Sequence, residues 1–258
     1  METNVCYQGD CLEVMKDIPD KSIDMILCDL PYGTTACKWD TIIPFEPLWE
    51  QYKRIIKDNG AIVLTASQPF TSALVMSNPD MFRYEWIWEK HKGTNIFNAY
   101  KMPLKIHENV CVFYKKQCLY NPQKLDGFKD CRRGSHNKRK AGVFGEEEPI
   151  NYSDKHEPTK RLPISIQKFS NHNQKKNSFH PTQKPVALFE YLIKTYTNEG
   201  DLVLDNCAGS GTTAIACLKT NRQFIVMEKE QKYYDIILKR VADFNKNFET
   251  QTLFGNEM

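Results

Sequence analysis

The sequence predicts an α/β protein with a mostly parallel sheet, an antiparallel later part, and a basic, loop-rich insertion. Three observations lead there. Two short apolar runs, Ile23 to Cys28 and Leu202 to Leu204, each end abruptly in a carboxylate followed by turn residues. Helical and strand periodicities alternate on both sides of these runs. Between Lys115 and about Asn177 periodicity disappears and basic residues accumulate.

The elements follow in order. Leu12, Val14, Met15 and Ile18 have helical spacing behind Gly9-Asp10, where Asp10 is suited to cap the helix or, less simply, to touch a ligand. Pro19-Asp20 ends this helix, and the Ile23–Cys28 strand runs into Asp29-Leu30-Pro31-Tyr32-Gly33. Pro31 has no N–H and a fixed φ, so the strand cannot continue through it. A helix is predicted from Phe45 to Ile56, closed by Asn59-Gly60 as its cap, then a strand from Ala61 to Thr65. Phe70 to Met76 begins another helix. Tyr84 to Glu89 and Glu108 to Tyr114 alternate as strands do. After the insertion come a helix from Val186 to Tyr196 capped by Gly200, a strand to Asp205, a helix from Thr213 to Lys219, a strand from Gln223 to Glu228, and a helix from Tyr233 to Phe244. Residues 246–258 read as a polar tail.

Composition bounds the function. A chain of 258 residues is one large domain with an insertion, or two small ones. No run of about 18 apolar residues exists to span a membrane, and Met1-Glu2-Thr3-Asn4 does not open a signal peptide. The nine cysteines form no C-x-x-C pair and read as free thiols of a reducing compartment; no metal site is expected. The net charge of +3 hides an asymmetry. Lys115 to Lys184 holds 16 Lys and Arg against 7 Asp and Glu, a local +9, and the remainder carries −6. Cys131 to Lys140 is its most basic part, with Arg132, Arg133, Lys138, Arg139 and Lys140, and aromatic residues are interspersed through the insertion. That pattern suits a polyanion slightly better than a solvated loop.

The stretch Asp205-Asn206-Cys207-Ala208-Gly209-Ser210-Gly211-Thr212-Thr213 joins a strand to a helix, and the next strand ends in Glu228. Such a βαβ unit binds a nucleoside: glycines let the backbone approach the ligand, and the acid accepts hydrogen bonds from ribose hydroxyls. Ala214 in place of a third glycine leaves a dinucleotide open by spacing. Asp205 at the loop start argues against a pyrophosphate and for a cationic ligand, which S-adenosylmethionine fits better than NAD.

Asp29-Leu30-Pro31-Tyr32, then Phe179-His180-Pro181-Thr182-Gln183-Lys184-Pro185, then Asp205 to Thr213, resemble in type and order the motifs of β-class DNA amino-methyltransferases. The resemblance covers roughly Cys6 to Arg240 apart from the insertion. It implies a Rossmann-like methyltransferase fold with circularly permuted motifs: a catalytic half over 1–114, a target-recognition insertion over 115–177 and a cofactor half over 178–245. It implies S-adenosylmethionine as cofactor, with Asp10, His180, Thr182, Lys184, Asp205, Gly209, Gly211, Thr212 and Glu228 around it; for His180 a role as helix-start residue weighs equally. It implies that Asp29 and the Leu30 carbonyl accept hydrogen bonds from an exocyclic amino group, that Pro31 stiffens the turn, and that Tyr32 stacks the flipped base. Aspartate at position 29 favours adenine N6 over cytosine N4. Double-stranded DNA is the implied partner, bound by Arg132, Arg133, Lys138, Arg139 and Lys140, although charge alone does not separate DNA from RNA. A second copy of the chain and a separate restriction endonuclease are further candidate partners, and a bacterial or phage enzyme of the cytoplasm is implied. Two departures stand out: Leu30 replaces a proline of the family motif, and Asn206-Cys207 replace Pro-Phe.

Overall fold

The computed structural model describes residues 2–35, 37, 40–126, 159–170 and 183–255. Its strands, in chain order, are β1 Val5–Gln8, β2 Ile23–Asp29, β3 Ile56–Ala66, β4 Phe82–Thr94, β5 Lys105–Phe113, β6 Ile166–Lys168, β7 Leu202–Asp205 and β8 Gln223–Glu228. The helices are α1 Cys11–Val14, α2 Phe45–Ile55, α3 Phe70–Ser77, α4 Val186–Tyr196, α5 Thr212–Lys219 and α6 Gln231–Gly255. The eight strands form one sheet in the order β1-β8-β7-β2-β3-β5-β4-β6. Only β5 runs against its neighbours; every other pairing is parallel. Residues 122–164 form a separate small unit, in which Leu125 and Arg161 make an antiparallel bridge.

The sheet is buried on both faces, which explains why β2 reads as a continuous apolar run. Ile26 and Cys28 point into one core with Leu48, Tyr52 and Ile55 of α2. Met25 and Leu27 point into the other with Leu188, Leu192 and Ile193 of α4. Central β2 leads through α2 to β3 on one side, while its other neighbour, β7, leads through α5 to β8 away from it. Connections therefore diverge between β2 and β7, and an open α/β sheet has its binding crevice at the carboxyl ends of such a pair. Asp29 and Asp205 terminate these two strands.

The structure corrects several local expectations. Asn59-Gly60 does not cap α2. Ile56 is already extended (φ −72°, ψ 136°), and β3 starts there with a bulge: Ile23 pairs with Ile56, but Met25 with Ala61. Gly60 is needed for close approach, since a Cβ there would lie 2.7 Å from the Asp24 carbonyl oxygen and from Ile56 Cδ1. Gly200 does not cap α4, which ends at Thr197; it lies in the following turn at φ +85°. Helix α6 passes Phe244 and Lys246 and continues to Gly255, because no proline or glycine interrupts it before that point. The segment from Leu12 to Ile18 is a single turn of α-helix followed by a 3₁₀ turn, Met15–Asp17. Strands β1 and β6 were not legible: four and three residues at the sheet's two edges, neither with a clear alternation.

Gly60→Ala should cost roughly 1–3 kcal/mol in urea unfolding, because a backbone oxygen cannot swing away as a side chain can. Asn59→Ala, on an exposed neighbour, should stay within about 0.5 kcal/mol. Equal effects at the two positions would refute the close-approach role.

Candidate active site

A cavity of about 370 Å³ opens at the carboxyl ends of the strands. Its described lining includes Asp10, Asp29, Leu30, Pro31, Tyr32, Lys184, Asp205, Gly209, Thr212 and Glu228, so residues from three distant parts of the sequence meet there. Six carboxylates line it (Asp10, Asp29, Asp40, Asp205, Glu228 and Glu230) against two lysines, Lys184 and Lys229. That surplus fits a cationic ligand better than a pyrophosphate.

The glycine loop forms one wall. Gly209 and Gly211 adopt φ +52° and +79°, where a side chain would be strained. Glu228 ends β8, 8% exposed; it accepts the backbone N–H of Gly209 and of Glu230, each at 2.8 Å. Burial raises its pKa above the usual carboxylate range. Asp205 accepts the Cys207 N–H at 3.0 Å and the Thr213 hydroxyl. Burial pushes its pKa up to about 6, against the lowering effect of these hydrogen bonds. Asp10 caps α1 through the Leu12 N–H and pairs with Lys229 at 3.2 Å. Gly211 is not on the cavity. It caps α5, and a Cβ there would meet Ile237 of α6 at 3.0 Å, so its role is packing. The two residues that depart from the family motif are both accommodated: buried Asn206 accepts the Tyr52 hydroxyl at 2.5 Å, and Cys207 packs against the α2-side core.

The opposite wall centres on Asp29. Its Oδ1 accepts hydroxyls from Tyr32 at 2.7 Å and from Thr65, the residue paired with it in β3. Its Oδ2 lies 2.7 Å from Lys184 Nζ. Lys184, expected around the cofactor, lines the cavity and is a counter-ion of Asp29. Lys184 also lies 3.2 Å from Glu108 Oε2, and Glu108 Oε1 lies 2.5 Å from Lys90 Nζ. Lys184 is only 6% exposed. Burial alone would lower its pKa, but the Asp29 and Glu108 carboxylates outweigh it and raise the net value. Glu108 mirrors this: burial raises its pKa and the two lysines bring it below the normal range. The Tyr32 ring stacks on Phe70 with centroids 5.1 Å apart, and Lys184 Nζ lies over the ring 5.4 Å from its centroid. Leu30, which stands where the family motif has proline, is 4% exposed and packs into the core.

Sequence reasoning missed Thr65, Lys90, Glu108 and Asp40. Asp40 accepts the N–H groups of Gly33, Thr34 and Thr35 and so holds the turn after Tyr32. Nothing local marks these residues; strand register reveals Thr65, Lys90 and Glu108, and the folded loop reveals Asp40. His180, Thr182, Arg132, Arg133, Lys138, Arg139 and Lys140 lie outside the described residues. Cys28 sits behind the site with its pKa pushed up to about 12, chiefly by burial, so it is a thiol and no nucleophile.

Lys184→Met should destabilise the protein by about 3–5 kcal/mol, because it leaves Asp29 without its counter-ion and Glu108 with Lys90 alone. Adding Asp29→Asn should restore at least about 1 kcal/mol of that loss, and strictly additive losses in denaturant titration would contradict the coupled network. Asp205 yields a pH dependence: its carboxylate attracts a cation above pH about 6 and is neutral below. Calorimetric affinity for S-adenosylmethionine should therefore fall as pH drops through about 6, and Asp205→Asn should reduce that slope; a slope equal to that of the unmodified protein would exclude Asp205 as its source.

Comparison with known proteins agrees with this geometry. A family model described as DNA methylase matches residues 23–239. The type II methyltransferase M.HpaI of Haemophilus parainfluenzae is 27% identical over 253 residues, covering 92% of this chain and 74% of that protein. DNA adenine methyltransferase YhdJ of Escherichia coli (strain K12) is 26% identical over 258 residues, covering 93% and 83%. Among solved structures, the M1.HpyAVI–SAM complex shares the fold with a TM-score of 0.63 at 24% identity, over 92% of this chain and 98% of that one. With two thirds of its length and more matched, the chain belongs to the DNA methylase family, the S-adenosylmethionine-dependent methyltransferases of adenine N6 and cytosine N4.

Proposed function

We propose that this chain methylates the exocyclic N6 of adenine at a specific sequence in duplex DNA, acting on a base swung out of the stack. The observation that carries this reading is the shared cavity: Asp29, at the end of β2, faces the same space as the acid-lined glycine loop. S-adenosylmethionine supplies an electrophilic methyl group when bound. The loop side, through Asp10, Asp205, Gly209 and Glu228, is suited to hold its cationic and ribose parts.

An amino group conjugated to a base ring is a poor nucleophile until acceptors draw its N–H bonds out of the ring plane. A carboxylate offers about four lone-pair positions. Tyr32, Thr65 and Lys184 engage three on Asp29, which leaves one for an N–H of the base. The Leu30 carbonyl is the second acceptor. Both stabilise the positive charge that develops on nitrogen during transfer. The Tyr32 ring is the aromatic contact for the base, which must leave the duplex because its amino group is otherwise unreachable. Adenine is favoured by the aspartate at position 29 and by the name carried by the similar YhdJ. The basic residues from Arg132 to Lys140 supply phosphate contacts to the duplex, and a bacterial or phage cytoplasm is the expected setting.

The test is transfer of label from methyl-tritiated S-adenosylmethionine to unmethylated DNA, followed by nucleoside separation. Label should appear in N6-methyldeoxyadenosine; label in N4-methyldeoxycytidine would overturn the base assignment. Asp29→Ala should reduce transfer by about 100-fold or more while cofactor affinity changes less than about threefold.

A further inference from the structure

The β4–β5 hairpin is absorbed neither by the cavity nor by the basic insertion. Residues 90–107 hold four lysines (Lys90, Lys92, Lys101 and Lys105) and two histidines, with no Asp or Glu. At its tip Phe97 is 97% exposed and Tyr100 fully so, the two most exposed large apolar side chains among the described residues. Ile96 beside them is 71% exposed. The tip is built rather than slack. Asn95 adopts φ +69°, Asn98 Nδ2 donates to Asn95 Oδ1 at 2.7 Å, and the N–H groups of Lys101 and Met102 donate to the Asn98 carbonyl.

Its position follows from register. Asp29 pairs with Thr65 of β3, Thr65 with Val110 of β5, and Ala66 with Asn109. The segment before Asn109 therefore projects beyond the carboxyl end of β3, the edge that carries Asp29. Lys105 Nζ donates to Ser67 Oγ just past that edge. Lys90 and Glu108, at the hairpin's root, continue the ion-pair chain that begins at Asp29.

Exposed aromatics on an ordered turn mark a contact surface. A protein partner matched to apolar tips alone would not call for Lys92, Lys101 and Lys105 with no acid between them, Lys90 being buried in its pair with Glu108. A polyanion with flat apolar faces satisfies both features, and such side chains serve as wedges and stacking platforms on nucleic acid. We infer that the β4–β5 hairpin is a second DNA-docking element, with Phe97 and Tyr100 stacking on bases beside the target while Lys92 and Lys101 hold flanking phosphates. This rests on the DNA reading above and extends it to a segment of the chain outside the basic insertion.

Two full-length variants test it, Phe97→Ala/Tyr100→Ala and Lys92→Gln/Lys101→Gln. Each is compared with the unmodified protein for binding a fluorescein-labelled 30-base-pair duplex, methyl transfer to unmethylated plasmid DNA, affinity for S-adenosylmethionine and sedimentation mass. The aromatic variant should bind duplex about tenfold or more weakly. The lysine variant should lower the slope of log affinity against log salt by about 2. Cofactor affinity and mass should not change for either. Duplex binding and transfer at unmodified levels in both variants would overturn the inference. A fall in sedimentation mass with duplex affinity retained would also overturn it, making the hairpin a contact between copies of the chain. If the unmodified protein itself bound cofactor but neither bound nor methylated DNA, the DNA reading would fail first and the hairpin assignment with it; a hairpin-only failure leaves the unmodified protein active.

Discussion

The ion pair between Asp29 and Lys184 is the contact on which the site depends. It joins the end of β2 to the residue two before α4, 155 positions later in the chain. A carboxylate at this depth needs a counter-charge, and a lysine this buried needs one too. Glu108 and Lys90 extend the pair into a chain of alternating sign across β2, the start of α4, β5 and β4. The formal charges of that chain sum to zero, so no bare charge is left beside the core. The remaining acceptor position of Asp29 is held in one direction by Tyr32 and Thr65, which fix the carboxylate plane.

The second constraint is topological. Sheet connections diverge between β2 and β7, so no crossover fills the space above their carboxyl ends. The two acids that close these strands differ in environment. Asp29 is a quarter exposed and paired with a cation, whereas Asp205 is 2% exposed and bonded to neutral donors. One therefore has a cationic partner within the protein, and the other is an acid whose charge responds to a cationic ligand. Such a division of labour suits a reaction with a methyl donor on one wall and an amine on the other.

Departures from the family motifs are explained by neighbours rather than by the motifs themselves. Leu30 replaces a proline where the side chain faces the core, and an apolar residue of similar size serves. Asn206 replaces a proline where its amide oxygen meets the Tyr52 hydroxyl from α2, a contact a proline could not make. The glycine loop is thereby tied to the catalytic half through a side chain as well as through the sheet.

The sequence by itself determined the sheet's central strands, the two acid-ended turns, the glycine loop and the order of motifs. Those features are short-range: hydrophobic period, a proline that stops a strand, glycines that permit positive φ. It also carried the family, since Asp29 to Tyr32 and Asp205 to Thr213 are contiguous words. Only the tertiary structure decided that Lys184 faces Asp29, that Thr65 and Glu108 belong to the site, that Gly211 packs on Ile237, and that Gly60 lies in a bulge. Each of these depends on which residues strand register and helix packing bring together from distant parts of the chain. Local pattern has no access to that, because a side chain's partner is set by the fold's long-range pairing and not by its neighbours in sequence.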